Sequence, residues 1–212
     1  MFIIGIDEVG RGPLAGPVTV SAVMISLNLF RNLKKMNSKS IGALPLRDSK
    51  KLSSKQREQW AKWIKDQKIP YVISSLSPKV IDKINISRAA NLAASKAVRK
   101  LIEISAFRSA NYKIFLDGGL YINPLPKLKF KNMEIATVIK GDEKIPAVSL
   151  ASIIAKVHRD KYMQKMHRLY PSYGFDKHKG YGTKLHCRII KKMGPCEIHR
   201  RSFIKKINAP VL

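Results

Sequence analysis

Only fourteen acidic side chains stand against 41 lysines and arginines in this chain of 212 residues, so the positions of the acids carry information. Four of them, Asp7, Glu8, Asp117 and Asp142, directly or closely follow apolar stretches that read as three different strands. Strand ends of one sheet lie side by side, which would gather the four carboxylates into one cleft. Held that close they repel one another unless a cation sits among them. Hard oxygen donors, with few histidines or cysteines to compete, favour Mg2+ or Mn2+ over zinc. Two such ions about 4 Å apart activate a water and stabilise the leaving oxygen when a phosphodiester is hydrolysed. The alternative for any single acid is a turn cap or a pairing with a nearby lysine, because aspartate is common in turns. Three strand ends sharing the pattern, with Asp7 and Glu8 adjacent, argue for a joint site.

Such acids need a sheet to hold them. Residues 2–6 read as a buried strand and 17–25 as a second, with Gly10, Gly12 and Gly16 punctuating the loop between. Residues 27–48 mix Asn, Lys, Ser and Gly and read as an exposed connection. Ser53 opens a capping box with Gln56, and Trp60, Trp63 and Ile64 share one face of the helix that follows. Tyr71–Leu76 reads as a strand. From Ile86, the apolar positions Ala90, Ala93, Ala97, Leu101 and Ile104 recur at steps of three and four. That spacing predicts an amphipathic helix whose small residues pack closely on a sheet. Residues 113–116 form a short strand running into Asp117, and 135–139 one running into Lys140, Gly141 and Asp142. Pro146 suits the first turn of a long helix reaching about Leu169. Beyond Pro171, loop glycines alternate with one or two basic helices. Alternating strands and helices predict a three-layer α/β domain over 1–170, with a small helical C-terminal extension over 171–212 packing on it.

A formal net charge of +27 favours a polyanionic partner, most commonly nucleic acid. Lysines outnumber arginines 29 to 12, so a lysine-rich composition accounts for part of that charge. No stretch of about 18 uncharged apolar residues exists, so no membrane span is expected. The apolar start is cut short by Asp7 and Glu8 and lacks a basic segment before it, unlike a signal peptide. A cytoplasmic location is the resulting expectation. Cys187 and Cys196 lie near His186 and His199, but their spacing is not that of a zinc finger, and they read as ordinary thiols.

Seven blocks carry a resemblance: Gly5-Ile-Asp-Glu-Val-Gly-Arg-Gly-Pro-Leu-Ala-Gly-Pro17, Asp48-Ser-Lys-Lys-Leu-Ser53, Leu116-Asp-Gly118, Lys140-Gly-Asp142, Ala151-Ser-Ile-Ile-Ala-Lys-Val157 with Arg159-Asp160, His178-Lys-Gly-Tyr-Gly-Thr183, and His199-Arg-Arg-Ser-Phe203. In this order they resemble the ribonuclease HII family across nearly the whole chain. The resemblance implies a ribonuclease H-like fold, a mixed central β-sheet flanked by helices. It implies that Asp7, Glu8, Asp117 and Asp142 are the catalytic metal-binding carboxylates for a two-metal site of Mg2+ or Mn2+, with Asp7 and Asp142 as main anchors. By the same resemblance Gly10, Arg11 and Gly12 read the 2′-hydroxyl, the group that distinguishes RNA from DNA. Tyr181 matches the tyrosine that packs on the deoxyribose after the ribonucleotide, and Lys50 and Lys51 resemble phosphate contacts. Arg159 and His178 are expected to orient neighbours, and Asp160 to pair with a nearby Lys or Arg. Leu150 departs from the smaller residue common in the family.

The activity implied is hydrolysis 5′ to a ribonucleotide, in RNA–DNA hybrids or embedded in duplex DNA, giving 3′-hydroxyl and 5′-phosphate ends. A first strand at Phe2, with Arg11 and Pro13 in the loop, resembles the HII rather than the HIII form. Two other readings use the same residues: a junction resolvase or integrase, which has no need of a 2′-hydroxyl reader, and a non-catalytic basic module, which has no need of clustered acids. The tail 208–212 lacks an aromatic clamp-docking motif, and the basic surface favours a monomer.

Overall fold

An unbroken apolar run places β1 (Phe2–Val9) at the centre of the molecule, buried from Ile3 through Asp7. The computed structural model describes residues 1–35, 46, 49–105, 110–122, 133–205 and 207. β2 (Val18–Ser26) pairs antiparallel with β1 and with β3 (Tyr71–Leu76). On the other side β1 runs parallel to β4 (Tyr112–Asp117), and β4 runs parallel to β5 (Met133–Val138). The sheet order is therefore β3-β2-β1-β4-β5, the mixed sheet that the sequence predicts. β1 extends beyond residue 6, so Asp7 and Glu8 lie within the strand rather than after it.

Helices cover both faces. α1 (Leu27–Lys35) follows β2 directly, and Leu33 is buried, with Leu27, Leu29 and Phe30 packed beside it. The expected exposed connection over 27–48 is thus corrected at its start: four apolar residues make one helical stripe despite the polar composition around them. Of the remainder, all but Leu46 lie outside the described residues. α2 (Ser54–Asp66) begins with the predicted capping box of Ser53 and Gln56, and its Trp60 and Ile64 are buried. α3 (Pro78–Ile84), not foreseen, starts with Pro78 after Ser77. α4 (Ile86–Ile104) buries Ala90, Ala93, Ala97 and Leu101 against the sheet, while Ile104 at its end is exposed.

α5 (Gly141–Lys144) is one turn, and α6 (Pro146–Leu169) lies across β1 on the face opposite α4. Gly5 sets how near α6 comes, because a Cβ there would stand 2.1 Å from the Ala147 carbonyl carbon. Leu150 is fully buried in the core on that face. After α6 come α7 (Phe175–His178), α8 (Lys184–Met193) and α9 (Arg201–Ile204), three short helices where one or two were expected. Among the described residues no helix is long and apolar enough to cross a membrane.

Candidate active site

Parallel register brings the first two acids together. Ile6 pairs with Leu116, and Asp7 and Asp117 are the next residues on their strands. Asp7 shares its face of β1 with Ile3 and Gly5, the face that α6 covers, and lines the same cleft as Ser152 of that helix. The Asp7 Oδ1 accepts from the Glu8 N–H at 2.8 Å. Asp117 Oδ1 accepts from the Gly141 N–H at 2.7 Å, which ties β4 to the turn carrying Asp142. Ligand oxygens of Asp7, Glu8 and Asp117 all lie within 4.8 Å of one another.

The structure thus gathers three of the four acids into one tight group. Asp142 is buried beside them, one residue beyond Gly141, and its Oδ2 lies 3.5 Å from Lys50 Nζ. Burial, then the adjacent Glu8 charge, raises the Asp7 carboxyl well above the usual range. Burial and the Asp117 charge push Glu8 up to about 7, although Arg11, 3.4 Å away, pulls the other way. Glu8 Oε2 is buried with no hydrogen-bond partner among the described residues. A divalent cation would answer both features, supplying a partner for the orphaned oxygen and the charge that three close carboxylates lack.

Asp7, Glu8 and Asp117 line a cleft of about 240 Å3 together with Ser49, Lys50, Ser152, Lys156 and Tyr181. Sequence reasoning assigned Tyr181 and Lys50 here but missed Ser152 and Lys156. Ser152 stands in a run from Ala147 to Ala155 that is otherwise largely apolar, and a serine there was the available signal. It also bonds to Ser49 at 2.8 Å, joining α6 to the Lys50 turn. Lys51 faces Glu143 at 3.4 Å.

The loop with Gly10, Arg11 and Gly12 leaves the end of β1 beside this cleft. Arg11 also donates to Ser87 Oγ at 3.1 Å, at the start of α4. Gly10 has φ +89, and a Cβ there would stand 2.4 Å from Arg159 Nε. The loop is held from below by two fully buried arginines. Arg200 donates to the Gly16, Arg11 and Gly10 carbonyls at 2.9, 2.8 and 2.5 Å. Arg159 donates to the Pro17 and Ala15 carbonyls at 3.4 and 3.2 Å, so the expectation that it orients neighbours holds. Arg200 was given no such role from sequence. Asp160 pairs with Lys156 at 2.9 Å and Arg57 at 3.5 Å, also as expected.

Tyr181 caps the turn after α7, its ring 5.8 Å from the Arg159 guanidinium. The carbonyl of Gly180, the residue before it, accepts from the Leu14 N–H at 2.8 Å, so this turn and the glycine loop are stitched together. Cys187 and Cys196 are free thiols, and the only metal-type group among the described residues is the carboxylate one.

Comparison with known proteins agrees with this geometry. The family model for Ribonuclease HII matches residues 4–206. The Ribonuclease HII of Caldicellulosiruptor bescii is 44% identical over 207 residues, spanning 97% of this chain and 88% of that one. The crystal structure of the ribonuclease H2 from Pyrococcus horikoshii superposes with a TM-score of 0.72 at 26% identity, covering 98% of this chain and 97% of that one. A structure of Bst-RNase HIII in complex with Mn2+ shares the fold alone, with a TM-score of 0.65 at 20% identity over 92% of this chain and 63% of that one. The fold is thus the expected ribonuclease H-like one, and the chain belongs to the ribonuclease HII family: it is a ribonuclease H, an endonuclease that hydrolyses phosphodiesters.

Proposed function

We propose that this enzyme nicks the phosphodiester on the 5′ side of a ribonucleotide, in an RNA–DNA hybrid or embedded in duplex DNA, leaving a 3′-hydroxyl and a 5′-phosphate. The observation that carries the reading is the sharing of one cleft by the Asp7, Glu8 and Asp117 group and Tyr181. The carboxylates, with Asp142 beside them, would hold two divalent cations, Mg2+ or Mn2+. When bound, these supply the charge that activates a water and stabilises the leaving oxygen. The Mn2+ complex of Bst-RNase HIII, which shares this fold, supports this choice of metal.

The chain's own residues do the rest. Gly10 and Gly12 let backbone amides approach the ribose, whose 2′-hydroxyl is what separates RNA from DNA. Arg11, fixed between Glu8 and Ser87, presents a guanidinium to the phosphate beside the cut. The Tyr181 ring lies flat on the next sugar, where a 2′-hydrogen fits and a hydroxyl crowds. Lys50 and Lys51 contact flanking phosphates, and the net charge of +27 draws the duplex in. In this reading residues 1–170 carry the acids, the extension 171–212 supplies Tyr181 and Arg200, and the protein acts as a monomer.

The test is end-mapping on matched duplexes that contain one ribonucleotide, a run of ribonucleotides or none. Cuts only 5′ to ribose, with 3′-hydroxyl products, are expected. Cleavage of all-DNA duplexes or branched DNA without regard to ribose would overturn the assignment of the glycine loop.

A further inference from the structure

Three histidines lie buried under the Tyr181 turn: His178, His186 and His199. None of them touches the acidic group, and the proposed cleavage chemistry makes no use of His186 or His199. Their hydrogen bonds allow one direction of donation. His199 Nδ1 lies 2.9 Å from the Cys196 N–H, 3.1 Å from the Cys196 Sγ and 3.2 Å from the Cys196 carbonyl. Because the Tyr181 carbonyl can only accept from His186 Nδ1, the proton between the two Nε2 atoms belongs to His199, whose Nδ1 accepts from the Cys196 N–H. The His199 Nε2 lies 3.0 Å from His186 Nε2, which must accept. His186 then carries its proton on Nδ1 and donates it to the Tyr181 carbonyl at 2.9 Å. Each ring is neutral and each nitrogen is matched.

His178 braces the other side. Its ring stacks on His186 with centroids 4.1 Å apart and planes 18° apart. Its Nδ1 accepts from the Gly180 N–H at 3.1 Å, and its Nε2 donates to the Tyr173 carbonyl at 2.7 Å. Phe175 packs edge-on against both rings of the stack. Burial lowers His178 and takes His186 and His199 down to about 4, so the neutral chain persists through ordinary pH. The turn is thereby clamped from three directions: His186 on the Tyr181 carbonyl, His178 on the Gly180 amide, and the Leu14 amide on the Gly180 carbonyl.

From this arrangement we infer that His186 and His199 are positioning residues for Tyr181, a directional hydrogen-bond chain that sets where the ring meets the substrate sugar and so sets the preference for RNA–DNA junctions. The inference rests on the reading of Tyr181 given above. A hydrophobic residue at 186 fills space but offers no donor, which frees the Tyr181 carbonyl and lets the turn shift. Misplacement by about an ångström is enough to lose catalytic efficiency without loss of the fold.

The experiment compares kcat/KM on a duplex with one ribonucleotide against kcat/KM on a long RNA–DNA hybrid, for the intact enzyme and for Tyr181→Ala, His186→Leu and His186→Asn. Asparagine keeps an N–H donor where His186 Nδ1 stands. The junction-to-hybrid ratio is expected to fall about tenfold in Tyr181→Ala and in His186→Leu, and to recover to within about twofold in His186→Asn. An unchanged ratio in Tyr181→Ala overturns the reading of the tyrosine itself. A fall in Tyr181→Ala with no change in His186→Leu overturns the positioning role alone. Should His186→Leu fail to fold, nitrogen-15 NMR of the intact protein decides. Neutral rings with the proton on Nδ1 of His186 and on Nε2 of His199 are expected at pH 7. Charged rings, or the same tautomer at both, contradict the chain.

Discussion

Asp7 and Asp117 each stand one residue beyond the matched pair Ile6 and Leu116, on adjacent parallel strands, so backbone register alone sets their carboxylates side by side. Neither depends on a loop for its place. Replacing either by asparagine keeps the shape and removes a charge from the group. Cleavage should fall about a thousandfold or more, the several kcal/mol that bound cations contribute to the transition state. Duplex affinity in a binding assay should hold or tighten, because one repulsive charge is gone.

Glu8 sets a pH dependence for metal binding. Its carboxyl is pushed up to about 7 in the metal-free protein, so below that pH a cation must displace a proton. A raised carboxyl contributes stability at low pH that is lost as pH rises through about 7. Cation binding therefore stabilises the fold more above pH 7 than below it. Thermal melts with and without Mg2+ should show a larger upward shift at pH 8 than at pH 6. Affinity from calorimetry should rise by up to about tenfold per pH unit approaching 7.

Arg200 is the main support of the glycine loop, and lysine cannot replace it. One ammonium cannot reach the three carbonyls that the guanidinium fork spans. Arg200→Lys should cost about 3 kcal/mol, which for a protein of this size lowers Tm by about 6–12 °C. At a temperature where the variant is folded, cleavage at a single ribonucleotide should still fall, because Gly10 and Arg11 lose their anchor.

Lys50 and Lys51 should act through charge alone. Each replaced by alanine should weaken binding about equally across sequences. The slope of log affinity against log salt should drop by about one for each phosphate that is no longer neutralised. An unchanged slope in a salt titration would remove the residue from the interface.

Where apolar period and capping agree, the fold was legible in the sequence. Tyr71–Leu76, the helix starting at Ile86, the Ser53 and Gln56 capping box and the helix at Pro146 all appear as expected. α1 was hidden because Asn28, Arg31, Asn32, Lys34 and Lys35 outnumber the four apolar residues that pack. α3 spans seven residues, too few for a period to show. At the site, Asp7, Glu8 and Asp117 were legible because strands carry them and acids are scarce, whereas Asp142 sits on the one-turn helix α5 beside their group. The supports of the glycine loop were not legible, because they act across the chain. Arg159 reaches a carbonyl 142 residues away and Arg200 one 190 away, a relation that exists only once the fold has formed. The histidine chain is hidden for the same reason, since His186 and His199 meet through packing of α8 against the segment before α9.

The most direct test of the central claim is cleavage of a labelled duplex with one ribonucleotide, in Mg2+ or in chelator, by the intact enzyme and by Asp7→Asn. The account predicts a single nick just 5′ of the ribose, only with the divalent ion and only with Asp7 intact. A nick of equal rate in chelator, or from Asp7→Asn, would contradict it.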